Sequence, residues 1–189
     1  IYIHAPKFYV DEYGVSLAAL GAVLFGLRLF DFVQDPILGW LSEAARGARR
    51  MLVLLAVAVM ALSMVGLFAV TPPIAPLLWF ALTLTGLFTA FSFLTINFYA
   101  QGVRKADELG PNGHVRLASG RETGALLGGC VAAVIPTALA STTQSPFAMF
   151  AAGFVGLAIL AAWAMRREWV ARPAAETTPG FGPVLSDGI

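Results

Sequence analysis

The chain is short of charge. Only 12% of its 189 residues are Asp, Glu, Lys or Arg, and 58% are hydrophobic. Soluble domains carry about 25% charged and 45–50% apolar residues. With a mean hydropathy of +0.78, the composition argues against a buried soluble bundle and for a chain that lives in a bilayer. The net charge of +1 supplies no bulk attraction to nucleic acid. Cysteine is nearly absent: Cys130, in an apolar run, is alone. An internal disulfide and a Cys-cluster metal site are thereby excluded, and the residue reads as a small packing side chain. The two histidines, His4 and His114, lie far apart and outside any ligand-spaced motif. There is no HExxH, no Gly-rich phosphate loop and no Ser–His–Asp set. The chain therefore reads as a non-enzyme with no cofactor.

What the chain has is long apolar runs. A spanning helix needs about 20 mostly apolar residues. The opening segment, about 1–10, is too short to span and starts at Ile1, so it reads as the end of a first helix cut within a larger chain. Ser16 is a good N-cap for a helix over about 17–41. Further spans cover 51–70, 77–100, about 118–140 and about 147–165. The turns "TPPIAP" and "STTQSP" and the polar stretch "QGVRKADELGPNGHVR" separate them. The fold class is thus all-α, a polytopic membrane bundle of five full helices and a partial one. Residues 166–189, with Pro173, Pro179, Gly180, Gly182 and Pro183, read as a flexible linker or tail.

Lysine and arginine in short loops set the orientation. Loops 71–76 and 141–146 have none. The alternate ones carry Arg46, Arg49 and Arg50, then Arg104, Lys105 and Arg116, then Arg166, Arg167 and Arg172. That places the tail in the cytoplasm, with Trp163 and Trp169 at the inner boundary and Trp79 at the outer one. The predicted location is a cell membrane, the bacterial inner membrane.

Within the oil stands "GLRLFDFVQDPILGW". Arg28, Asp31 and Asp35 are spaced i, i+3, i+7, within roughly 60° of one another on a helix. A charge at the bilayer centre costs about 2.5–3.5 kcal/mol by insertion scales, so three on one face imply that the face meets a bundle interior or wet cavity. Three readings stand open: a structural ion pair of Arg28 with Asp31 or Asp35, carboxylates that take up a proton or small cation, and a passive pore lining. Pro36 removes a backbone hydrogen bond and frees a carbonyl, as a packing kink or at an ion site. Ser92, Thr95 and Tyr99 repeat i, i+3, i+7 on the helix 77–100, with Asn97 off that stripe. Their hydroxyls either bond back to the helix or line a face opposite the charged helix. Gly120, Gly124 and Gly128 form a small-residue ridge that allows close helix packing. Arg121 and Glu122 either snorkel to the interface or, for Arg121, face the cavity.

The pattern R-x-x-D-x-x-x-D-P-x-x-G-W, carried by Arg28, Asp31, Asp35, Pro36, Gly39 and Trp40, resembles the second helix of the glycoside–pentoside–hexuronide cation symporters. These are the melibiose-permease-like branch of the major facilitator superfamily. The following loop, with Gly39, Glu43, Gly47, Arg49 and Arg50, resembles the superfamily's gating loop. It departs in having Glu43 for the usual aspartate, Ala44 for the usual arginine, and one extra residue. "RLASGRETGALLGG" looks like the start of the family's fifth helix, and the resemblance covers most of 1–165.

The resemblance implies twelve helices in two halves with alternating access, this chain being the N-terminal six-helix half with helix 1 truncated and the C-terminal half its partner. It implies that Asp31, Asp35, Gln34 and Ser92 bind the coupling cation, H+ or Na+, with no other metal. It implies substrate contacts from Arg28, from Tyr99 as a platform for a sugar ring, and from Arg121. Thr95 takes the substrate position at which the melibiose carriers have an aspartate that holds sugar hydroxyls. The function so implied is cation-coupled symport of a sugar or related small solute across the lipid bilayer. The rivals are a carrier of lipid-like or drug-like solutes and a non-transporting sensor or assembly subunit.

Overall fold

The computed structural model describes residues 2–108, 110 and 112–166. Among them are six α-helices and one short 3-10 turn, and no strands. The helices are α1 (His4–Tyr13), α2 (Leu17–Ala44), α3 (Arg49–Phe68), α4 (Pro76–Glu108), α5 (Gly113–Leu139) and α6 (Pro146–Ala164), with the 3-10 turn Arg46–Ala48 between α2 and α3. The helices α2 to α6 each contain a stretch long and apolar enough to cross a membrane. The tail reading, with Trp169, Arg167 and Arg172, falls outside the described residues.

Local chemistry sets the helix ends. Gly14 closes α1 in the left-handed region, φ 63°, which costs glycine nothing. Two residues later the Ser16 hydroxyl accepts from the Ala19 N–H at 3.2 Å and caps α2. Pro76 and Pro146 open α4 and α6, where a missing N–H loses no helix bond. Pro36 and Pro136 sit inside α2 and α5. Each removes the donor for the carbonyl four residues earlier, yet both helices continue to Ala44 and Leu139. The helix α4 is longer than its apolar run. It continues through Gln101–Lys105, a stretch that reads as loop from polarity alone. Polar side chains do not end a helix that has left the oil. A breaker does, and the next one is Gly110, at φ 80°.

The helix α4 is the hub. It packs on α2, α3 and α5, while α3 also packs on α6 and α5 touches α6. The main core joins Tyr9 of α1, Leu20 and Leu27 of α2, Leu67 and Phe68 of α3, and Phe80 and Leu84 of α4. Aromatic rings hold its rim: Tyr9 meets Phe80 edge-on at 4.9 Å, and Phe68 stacks on Phe147 of α6 at 5.5 Å. Such pairs add about 0.5–1.5 kcal/mol each beyond their buried area. A second cluster, Val53, Ala56, Ala90 and Phe93, continues the α3–α4 seam.

The close approach lies on that seam. A Cβ built at Gly66 would stand 3.2 Å from Thr83 Cγ2, and one at Gly86 only 2.6 Å from Ser63 Oγ. The ridge Gly120, Gly124, Gly128 has nothing within 4 Å of any added Cβ. Its predicted role in helix packing is corrected for the contacts among the described residues: it is an open stripe on the outer surface of α5. Glycine spacing reports what could approach, while the rotation of the helix decides what does.

Candidate cation and solute site

The charged face of α2 borders α4 and Tyr2, the residue two places before α1, with Arg28 and Asp35 exposed. Arg28 Nη1 lies 3.6 Å from Asp31 Oδ2, longer than the 2.7–2.9 Å of a strong charge-assisted hydrogen bond. The Arg28 side chain is 62% exposed and that of Asp31 only 14%. The guanidinium lies over the Tyr2 ring at 5.0 Å, and that ring stacks on Phe88 of α4 at 5.4 Å. Of the two ion pairs open to Arg28, the one formed is with Asp31, and it is loose.

The other oxygen of Asp31 is held more tightly. Gln34 Nε2 donates to Asp31 Oδ1 at 2.9 Å. Gln34 is buried, 7% exposed, and its Oε1 accepts from the Thr89 hydroxyl of α4 at 2.9 Å. A carboxylate only accepts, so the amide must turn its NH2 to Asp31 and its oxygen to Thr89. Thr89 thereby orients Gln34, and Gln34 orients Asp31. Asp35, one turn further, is exposed and makes no hydrogen bond or ion pair among the described residues.

Sequence reasoning passed over Thr89. The sign was there: it stands three residues before Ser92, so the polar stripe of α4 begins one turn earlier. Along α4 the hydroxyl residues divide. Thr83 and Thr85 donate back to Trp79 O at 2.9 Å and Ala81 O at 2.7 Å. Ser92 and Thr95, half-buried, form no hydrogen bond among the described residues, so their hydroxyls remain open to a ligand. Tyr99, 48% exposed, carries the Arg121 guanidinium over its ring at 4.3 Å. Arg121 Nη2 also pairs with Glu122 Oε1 at 2.6 Å. Arg121 thus bridges α5 to α4. The Tyr2–Arg28–Asp31–Gln34–Thr89 group and the Tyr99–Arg121 group are separated along α4, from Phe88 to Tyr99, by about 16 Å at 1.5 Å per residue.

The predicted gating residues lie at the far end of α2. Gly39 is half-buried, Glu43, Gly47 and Arg50 are exposed, and Arg49 is buried. The contact that fixes this end was also passed over. The Ser42 hydroxyl donates to Asn97 Oδ1 at 2.8 Å, and Asn97, fully buried, donates its Nδ2 to Phe93 O at 2.8 Å. The residue set aside as off the stripe is the one that ties α4 to the root of the loop. Among the described residues no group of three or more His, Cys, Asp and Glu clusters as metal ligands.

The arrangement offers two acidic groups one turn apart, an exposed and loosely paired arginine, open hydroxyls and an aromatic ring. The carboxylates can accept a proton or a cation, and the hydroxyls can bond to polar atoms of a ligand. The family model of the MFS/sugar transport protein matches residues 1–186. No solved structure matches the chain. Since that match spans nearly all of the sequence, the chain belongs to the MFS/sugar transport protein family, and so to the membrane transporters of the major facilitator superfamily.

Proposed function

We propose that the chain is the N-terminal half of a melibiose-permease-like cation symporter that moves a sugar or related small solute by alternating access. Its twelve-helix carrier resides in the bacterial inner membrane, with the tail in the cytoplasm. The observation that carries the reading is the state of the two carboxylates. Asp31 is held on one oxygen by Gln34 and only loosely by Arg28 on the other, and Asp35 has no partner among the described residues. Two anionic groups in a membrane-spanning helix are costly without a counter-charge, so the face favours uptake of H+ or Na+ between Asp31 and Asp35, with Ser92 as a further oxygen donor.

A bound cation competes with Arg28 for Asp31. It frees the guanidinium from Asp31 and removes the net negative charge of the face. Solute then lies against the Tyr99 ring, with Thr95 and Arg121 donating to its oxygens. Closure of the two halves around a neutralised site is favoured because less charge must be desolvated. The loop Gly39, Glu43, Gly47, Arg49 and Arg50 acts as the gate between them.

The test is uptake of a panel of labelled sugars in proteoliposomes that hold this chain with its C-terminal half, under separate sodium and proton gradients. Asp35→Asn is expected to abolish gradient-driven uptake at unchanged helical content. Full gradient-driven uptake by that variant would overturn the coupling role.

A further inference from the structure

Helices α3 and α6 border a groove of about 610 Å³ whose lining includes none of the cation- or solute-site residues. Leu54, Ala58 and Leu62 of α3 form one wall, and Val155 and Ile159 of α6 the other. The spacing is i, i+4, i+8 on α3 and i, i+4 on α6, one continuous apolar face on each helix. The lining changes character at one end only. There Trp163 and Arg166 complete it, and the Arg166 guanidinium stacks over the Trp163 ring at 4.3 Å. Arg50, exposed, stands one turn from Leu54 at the same end of α3. Among the described residues no acidic one lines the groove.

We propose that this groove binds one anionic glycerophospholipid of the adjacent leaflet, its acyl chain between α3 and α6 and its phosphate on Arg166. Three observations select that occupant. The α6 wall from Val155 to the helix end at Ala164 rises about 14 Å, close to one leaflet, half of a hydrocarbon core of about 30 Å. The walls are apolar along that length, so they take an acyl chain and reject a hydrated solute. The single charged lining residue among those described is a cation at the mouth, beside an amphipathic ring of the type that settles at the headgroup level, and a guanidinium matches phosphate geometry with paired N–H donors. A second protein helix fits poorly: it would bury the Arg166 head that the groove presents toward the interface.

Trp163 reports on its own groove. The chain is reconstituted in phosphatidylcholine vesicles with rising fractions of acyl-brominated phosphatidylglycerol or acyl-brominated phosphatidylcholine. Bromine quenches tryptophan on contact, and the Trp163 part of the signal is the difference from Trp163→Phe. Brominated phosphatidylglycerol is expected to half-quench that part at about fivefold lower mole fraction than brominated phosphatidylcholine, the factor one basic residue gives near a membrane surface. Arg166→Gln should bring the two lipids together, and Arg166→Lys should keep most of the preference, which separates loss of charge from loss of fold. Equal quenching of the parent chain by both lipids, or a preference that survives Arg166→Gln, overturns the proposal.

Discussion

Thr89 has one hydroxyl, and its removal unties two other residues. Thr89→Val leaves the buried Oε1 of Gln34 without its donor, a cost of about 1–3 kcal/mol for an unsatisfied buried group. The freed amide no longer holds Asp31 Oδ1 in one place. The half-saturating cation concentration for uptake is expected to rise severalfold, with Thr89→Ser restoring most of it. An unchanged cation dependence in Thr89→Val would show that Gln34 is oriented by something else. Asn97 makes a different prediction because it lies outside the polar stripe. Asn97→Ala removes the acceptor of the Ser42 hydroxyl in a fully buried position. It should lower the thermal unfolding midpoint in detergent by the equivalent of about 1–3 kcal/mol, while Ser42→Ala added to it should cost little more, since the two groups share one bond.

Between elements, the seam of α3 and α4 separates glycines that are needed from glycines that are tolerated. At Gly86 an added methyl meets Ser63 Oγ, and Ser63 can turn that oxygen aside, so Gly86→Ala should be mild. Gly86→Leu has no such outlet and is expected to destabilise by about 1–3 kcal/mol through overpacking. Gly124→Ala, in open space, should be neutral or stabilising by up to about 1 kcal/mol, because alanine is the better helix former. Unfolding followed by circular dichroism in one detergent ranks the three variants. A destabilising Gly124→Ala would mean that a surface outside this bundle packs on the α5 ridge.

The sequence indicated the ridge and missed the seam for a physical reason. Periodicity places residues on a common side of one helix. It is silent on which side faces which neighbour. Gly66 and Gly86 lack regular spacing and still mark the tightest contact, since two helices that cross touch over a short stretch only.

At the scale of the molecule, the distribution of basic residues predicts the topology. Loops near Thr71 and Gln144 should lie on one side of the membrane and the loop at Gly47 on the other. In a Cys130→Ser background, an impermeant maleimide applied to whole cells should label Gln144→Cys and leave Gly47→Cys unlabelled until the membrane is opened. The reverse pattern would invert the orientation. The docking of α1 is a second feature of this scale. His4 Nε2 lies 3.1 Å from Ala133 O, 129 positions away, one residue past the carbonyl that Pro136 deprives of its donor. The same ring meets Phe147 and Phe150 edge-on, at 6.1 and 6.2 Å. A histidine without a metal partner in the sequence thus serves as a clasp between α1, α5 and α6.

Composition and periodicity alone determined that the chain is a bundle of membrane helices with a cap at Ser16 and the ionic groups of α2 gathered on one side. These follow from short-range rules: the length an apolar run needs to cross a bilayer, the hydrogen bond a serine oxygen accepts from the first turn, the 100° step between successive residues. Tertiary structure decided the partners. It chose Asp31 for Arg28, set Thr89 behind Gln34 and Asn97 beneath Ser42, each across 55 positions, and left the α5 glycines in the open. Those choices depend on the rotation and axial offset of packed helices. One residue of slippage turns a side chain by about 100° and changes its neighbour, and the energy that fixes the offset is spread over the whole core rather than written in any local stretch.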